Sequence, residues 1–248
     1  MAWSLRKIVH EMSLDKALRN ATKFFGEENE KLNRLQYERI QMMPGSRQMF
    51  KRIASAPDIE QLMDYLAEVR YALVFAGLNF DVEIEPFGKK GPDLQIAKNG
   101  NRAIVEVKRF RKVYSGPPEL DINNPKTMLV EYGNITRDVR KAFNIILTKF
   151  DQIGNSDAII AVWNDDEDLD DWEVSKAVQN IRLDSKNNKL AVPSNLAFVV
   201  YGSKWIGDQN QQLYCFPIHQ RHSPYLLWCQ ELDSSIVSDL VHKAIGQS

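Results

Sequence analysis

The stretch Gly91-Pro92-Asp93-Leu94-Gln95-Ile96-Ala97-Lys98-Asn99-Gly100-Asn101-Arg102-Ala103-Ile104-Val105-Glu106-Val107-Lys108-Arg109-Phe110 decides how this chain is read. Two alternating segments flank Asn99-Gly100, a dipeptide that accepts the positive φ angles of a type I′ turn, so the stretch predicts a β-hairpin. With Asn99 and Gly100 as the loop, Lys98 faces Asn101 and, counting outward, Asp93 faces Glu106. Residues paired across a ladder hold their Cβ atoms about 4.5–5.5 Å apart on one sheet face. Lys108, two residues past Glu106, points to that same face because side chains alternate along a strand. Two carboxylates facing each other repel, and such pairs are normally avoided. A hard divalent cation resolves the conflict, since Mg²⁺ is held through one or two carboxylates together with water and substrate oxygens.

Upstream of the hairpin, Pro57-Asp58 opens a predicted helix that runs to about Ala76 and is closed by Gly77. Its first half is amphipathic through Ile59, Leu62, Leu66 and Val69, and its second half is apolar nearly all round, as in a buried helix. Phe80, Val82 and Ile84 then alternate with Asp81, Glu83 and Glu85 in a strand stopped by Pro86. Residues 1–56 read as wholly helical, a cap or an oligomerisation arm distinct from a domain over 57–248.

Downstream, residues 114–133 are rich in Pro, Gly and Asn, which reads either as a loop that covers whatever the hairpin binds or as a disordered segment. A helix is expected from Asn134 or Thr136 through Ile153, followed by a buried strand at Ala158–Trp163. The acidic run from Asp165 to Glu173 lacks the spaced ligands and glycine of a calcium loop and reads as a solvated lead into a helix from Trp172 to about Arg182. Strands at Leu196–Tyr201 and Gln212–Ile218 and a last helix through Ile236 and Leu240 complete the chain. His219 and His222 lack a third ligand nearby. There is no internal repeat and no phosphate-cradling glycine loop.

The 248 residues are 44% hydrophobic and 26% charged, the balance of an ordinary soluble globular chain. A formal net charge of −1 gives no global attraction to a polyanion, so any such attraction must be local. It is local here. Between Gly88 and Lys112, eight bases (Lys89, Lys90, Lys98, Arg102, Lys108, Arg109, Arg111 and Lys112) stand against two acids, Asp93 and Glu106. That excess suits a nucleic acid, whose affinity rests on phosphate neutralisation. Cys215 and Cys229 are too few for a disulfide framework or a zinc set and fit a reducing compartment. No apolar run approaches the ~20 residues that span a bilayer, and Met1–His10 has no signal-peptide core. A cytoplasmic protein without a membrane partner is expected.

Pro92-Asp93, a twelve-residue gap, then Glu106-Val107-Lys108 resembles the PD-(D/E)XK nuclease superfamily, over roughly residues 57–165. The resemblance implies an α/β fold with a restriction-endonuclease-like αβββαβ core, a mixed sheet flanked by helices, here preceded by the helical N-terminal region. It implies that Asp93, Glu106 and the backbone carbonyl of Val107 hold Mg²⁺ (or Mn²⁺), with Lys108 as the third catalytic group. The superfamily's first helix often adds an acid to the metal site; Glu68 is the candidate, with Glu60 and Asp64 nearer the polar start. Lys89, Lys90, Arg109, Arg111, Arg137 and Lys141 are the expected phosphate contacts. The implied function is metal-dependent hydrolysis of DNA by an endonuclease in restriction, repair or phage defence. A homodimer is expected if both strands are cut. The alternative is a catalytically inactive nuclease-fold module that binds nucleic acid or protein.

Overall fold

A computed structural model describes residues 14–24, 30–88, 91–110, 135–164, 169–203, 211–219 and 224–246. The expected hairpin is β2 (Leu94–Lys98) and β3 (Asn101–Phe110). Asn99 and Gly100 both have positive φ, 52° and 79°, as a type I′ turn requires. Lys98 pairs with Asn101 and Leu94 with Val105, so the register is the one counted from the turn. In front of it come α4 (Ile59–Gly77) and β1 (Asp81–Ile84). Asp58 caps α4, its carboxylate accepting from the Gln61 N–H at 2.8 Å. After it come α5 (Ile135–Leu147) and β4 (Ala158–Asn164). The order α4-β1-β2-β3-α5-β4 is the αβββαβ order expected, and α6 (Asp171–Lys186), β5 (Leu196–Ser203) and β6 (Leu213–Pro217) extend it.

The six strands form one mixed sheet in the order β1-β2-β3-β4-β5-β6. β1, β2 and β3 are an antiparallel meander, β3, β4 and β5 run parallel, and β6 returns antiparallel. Every residue of β4 is buried, which accounts for its continuous apolar run. An Asp170–Glu173 capping box opens α6 inside the acidic stretch, so that acidity serves a helix start. One helix, α7 (Pro224–Leu232), has no counterpart among the sequence expectations; it precedes α8 (Val237–Ala244). Among the described residues, no helix is long and apolar enough to cross a membrane.

The two faces of the sheet are covered differently. One face packs Val82, Leu94, Val105, Val107, Ala161 and Phe198 against α4, α7, α8 and the N-terminal helices. These last are α1 (residues 14–24), α2 (Glu30–Gln41) and α3 (Ser46–Ala54). They share that single core through Leu14, Ala17, Leu18, Ile40, Phe50 and Ile53, and Pro44 accepts the Ile84 N–H at 2.9 Å beside β1. On the opposite face, a second cluster packs Ile104, Phe110, Ile160, Val162 and Tyr201 against α5 and α6. That cluster includes no residue of β1 or β2, so among the described residues the helical layer stops beside β3. Glu106 and Lys108 alternate with Val105 and Val107 and therefore stand on this half-covered face.

Candidate active site

Asp93 lies one residue before β2, opposite Glu106 in the continuing register. Pro92, which has no N–H to give, stands where the ladder ends. The Asp93 carboxylate takes over there: its Oδ2 accepts the Val107 N–H at 2.7 Å. Its carbonyl accepts the Glu85 N–H at 2.9 Å, tying the hairpin to the end of β1. Glu106 is 2% exposed, and Lys108 on the same face is half-buried, with no hydrogen-bond or ion-pair partner among the described residues.

Two cations that the sequence reading did not select meet these acids. The first is Lys149, whose Nζ lies 2.9 Å from Glu106 Oε2 and 3.7 Å from Asp93 Oδ2. The helix expected to continue through Ile153 instead ends at Leu147; the Lys149 N–H bonds Ile146 O at 3.1 Å, and a 3₁₀ turn, Phe150–Gln152, follows. That break turns Lys149 inward. The second is Arg52 of α3, whose guanidinium donates to both oxygens of Glu68, at 2.9 and 2.7 Å, and also to Glu85. It lies 4.2 Å from the Tyr65 ring centroid, so its plane is held from a third side. Glu85 adopts φ +47°, a conformation costly for a residue with a side chain, and its Oε2 is buried with no partner among the described residues.

Four acids (Glu68, Glu85, Asp93 and Glu106) thus gather around two bases (Arg52 and Lys149). Burial pushes Glu68 up to about 8, with the Asp93 charge adding to it and Arg52 opposing. Burial likewise raises Asp93 and takes Glu106 to about 7, in both cases against the pull of Lys149. At Arg52, burial acts against the charge, but Glu68 and Glu85 outweigh it and raise the guanidinium's pKa. The arginine stays charged and the carboxylates bear the cost of desolvation.

The cluster is two charges short of neutrality when every acid is ionised. Its metal-ligating atoms are carboxylate oxygens, and one of them, Glu85 Oε2, has no partner among the described residues. That chemistry fits Mg²⁺ or Mn²⁺, which prefer hard oxygen ligands and keep several waters. No cage of three or more acidic, histidine or cysteine ligands is preformed among the described residues, and Mg²⁺ sites do not usually employ one.

Arg109 does not reach the cluster. One residue past Lys108, it lies on the opposite face, 7% exposed, bound to Glu60 and, at 3.0 Å, to Asp64. Glu60 and Asp64 are thereby accounted for as its partners. Lys141 pairs with Asp138 at 3.5 Å and lies over the Phe110 ring. Lys89, Lys90, Arg111, Lys112, the loop 114–133, and the Arg137 side chain lie outside the described residues. Lys98 is bound to Glu231 at 2.7 Å on the far end of the hairpin. His219 lies 3.1 Å from Pro193 O, and His222 is outside the described residues.

Comparison with known proteins finds no matching family model, no matching curated protein and no matching solved structure.

Proposed function

We propose that this chain is a metal-dependent nuclease of the PD-(D/E)XK type that hydrolyses phosphodiester bonds in DNA. The observation that carries the reading is the hairpin register, which sets Asp93 against Glu106 with Lys108 on the same face. Asp93, Glu106 and the Val107 carbonyl would hold Mg²⁺ or Mn²⁺; Glu68, whose two oxygens both accept from Arg52, would join them only by giving up that clamp. When bound there, the metal supplies Lewis-acid polarisation of the phosphodiester and lowers the pKa of a water. The protein supplies the rest. The Val107 N–H fixes the Asp93 carboxylate, burial holds Glu106 in one place, and Arg52 clamps Glu68. Lys108 offers an ammonium to a phosphoryl oxygen or to the attacking water, and among the described residues no helix covers the half of the sheet beside it, where a polyanion would lie.

The test is cleavage of plasmid, linear duplex, single-stranded and RNA substrates with Mg²⁺ or Mn²⁺ by wild type, Asp93→Asn and Lys108→Ala. Loss of at least about 10³-fold in rate is expected for each variant, the scale on which removal of catalytic groups is felt. Variants that cut as fast as wild type would place the chemistry elsewhere.

One observation favours a second reading, the inactive binding module. Asp93, Glu106 and Glu68 each already have an internal cation or N–H as partner, through Lys149, Arg52 and Val107. Under that reading, divalent cations leave the protein's stability and nucleic-acid affinity unchanged.

A further inference from the structure

Lys149 is built into the site. Its side chain is only 11% exposed, and the helix end that delivers it is itself bonded into the turn. The ammonium donates to Glu106 Oε2 at 2.9 Å and to Gln152 Oε1 at 2.8 Å, and stands 3.7 Å from Asp93 Oδ2. Burying a lysine forfeits both hydration and side-chain freedom, so its place between two facing carboxylates has a specific compensation: it neutralises their repulsion. Among the described residues, Lys149 is the one cation in an ion pair with either of these facing acids.

The carboxylates that Lys149 engages are those that the proposed function assigns to a divalent cation. Two positive charges on one carboxylate pair repel, and they repel more strongly in a partly desolvated site than in water. Lysine is suited to leave, because its charge is compact, its stem is flexible, and Gln152 lies 2.8 Å away to keep one of its donors occupied. We propose that Lys149 is an internal counter-ion of the Asp93–Glu106 pair that a divalent metal must displace. It stabilises the Asp93–Glu106 pair and lowers its affinity for metal. This inference rests on the metal-site reading of Asp93 and Glu106.

The experiment is Mn²⁺ binding by the intact chain, followed by isothermal calorimetry and by the electron paramagnetic resonance signal of free Mn²⁺. Wild type is compared with Lys149→Gln, Lys149→Met, Lys149→Arg and Asp93→Asn. Neutral replacements are expected to tighten Mn²⁺ binding about tenfold, within the usual range of coupling between sites, while Lys149→Arg stays close to wild type. Lys149→Gln keeps a hydrogen-bond donor for Glu106, so it reads the loss of charge even if Lys149→Met fails to fold. Binding by Lys149→Gln where wild type shows none supports the inference equally. Binding by Lys149→Gln that is no tighter than in wild type overturns it. If Asp93→Asn abolishes binding in that case, the metal site stands and only the counter-ion role is lost. If Asp93→Asn leaves Mn²⁺ binding unchanged, or neither wild type nor Lys149→Gln binds, the metal-site reading falls and the inference with it.

Discussion

Replacing Arg52 by methionine keeps an unbranched stem against Tyr65 but removes the charge that holds Glu68 and Glu85. The side chains abandoned are 7% and 4% exposed, so water does not readily replace the guanidinium. Breaking a buried pair by removing one partner costs about 3–5 kcal/mol when the other charge is left behind. Proton uptake sets a ceiling on that cost, because an abandoned carboxylate can become neutral. Glu68 is already raised to about 8, by burial first and then by Asp93, and losing Arg52 raises it further. At pH 6 Glu68 is protonated in both proteins, so its share of the deficit is that of lost hydrogen bonds, about 1–2 kcal/mol. Above pH 8 the variant's folded state retains a proton that wild type has released, so its stability falls more steeply with pH and the deficit widens. About 3 kcal/mol is expected at pH 9, a loss of about 6–12 °C in Tm for a chain of this size. Urea unfolding at pH 6 and pH 9 in chelator reads the difference directly, and adding Glu68→Gln to the variant should recover part of it at pH 9. A deficit below about 1 kcal/mol at pH 9, or one equal at both pH values, would refute the claim that Arg52 compensates buried charge.

Wild type freed of divalent cations is itself expected to lose stability as pH rises from about 4.5 to 8. Glu106, raised to about 7, and Glu68, raised to about 8, bind protons in the folded state that the unfolded chain gives up at ordinary glutamate pH. A urea midpoint that climbs across this window would contradict the placement of these acids. Tyr71→Phe removes a buried hydroxyl that donates to Val162 O at 2.6 Å, tying α4 to β4; a loss of about 1 kcal/mol in urea unfolding is expected. Gly77→Ala places a methyl group 2.1 Å from Leu240 O, where α4 meets α8, and only displacement of one helix relieves the overlap. A loss of at least about 1–3 kcal/mol should follow, and a thermally silent variant would mean that this helix contact is loose.

The hairpin was legible because everything that specifies it is local. Asn99-Gly100 determines the turn, the turn determines the register, and strand alternation determines which side chains share a face. The same alternation separates Arg109 from Lys108, a signal that counting positive charge across the hairpin overrides. The helix–strand order was readable in the same way, from periodicity and caps such as Asp58. Two boundaries were not. The apolar stripe through Phe150 suggested a helix running to Ile153, whereas the chain breaks after Leu147. The short, apolar α7 carries too little periodicity to stand out before its packing against β5 and β6 is known.

By itself, then, the sequence determined the Asp93–Glu106–Lys108 face, since neighbours along a strand and across a two-residue turn have little freedom in how they meet. It did not determine what balances that face. Lys149 reaches Glu106 across 43 residues, and Arg52 reaches Glu68 and Glu85 across 16 and 33. A lone lysine near a helix end and a lone arginine in an N-terminal helix carry no pattern that marks them as buried. Only when α3 packs beside α4 and β1, and α5 breaks beside β3, does burial make an opposite charge necessary and bring one within reach.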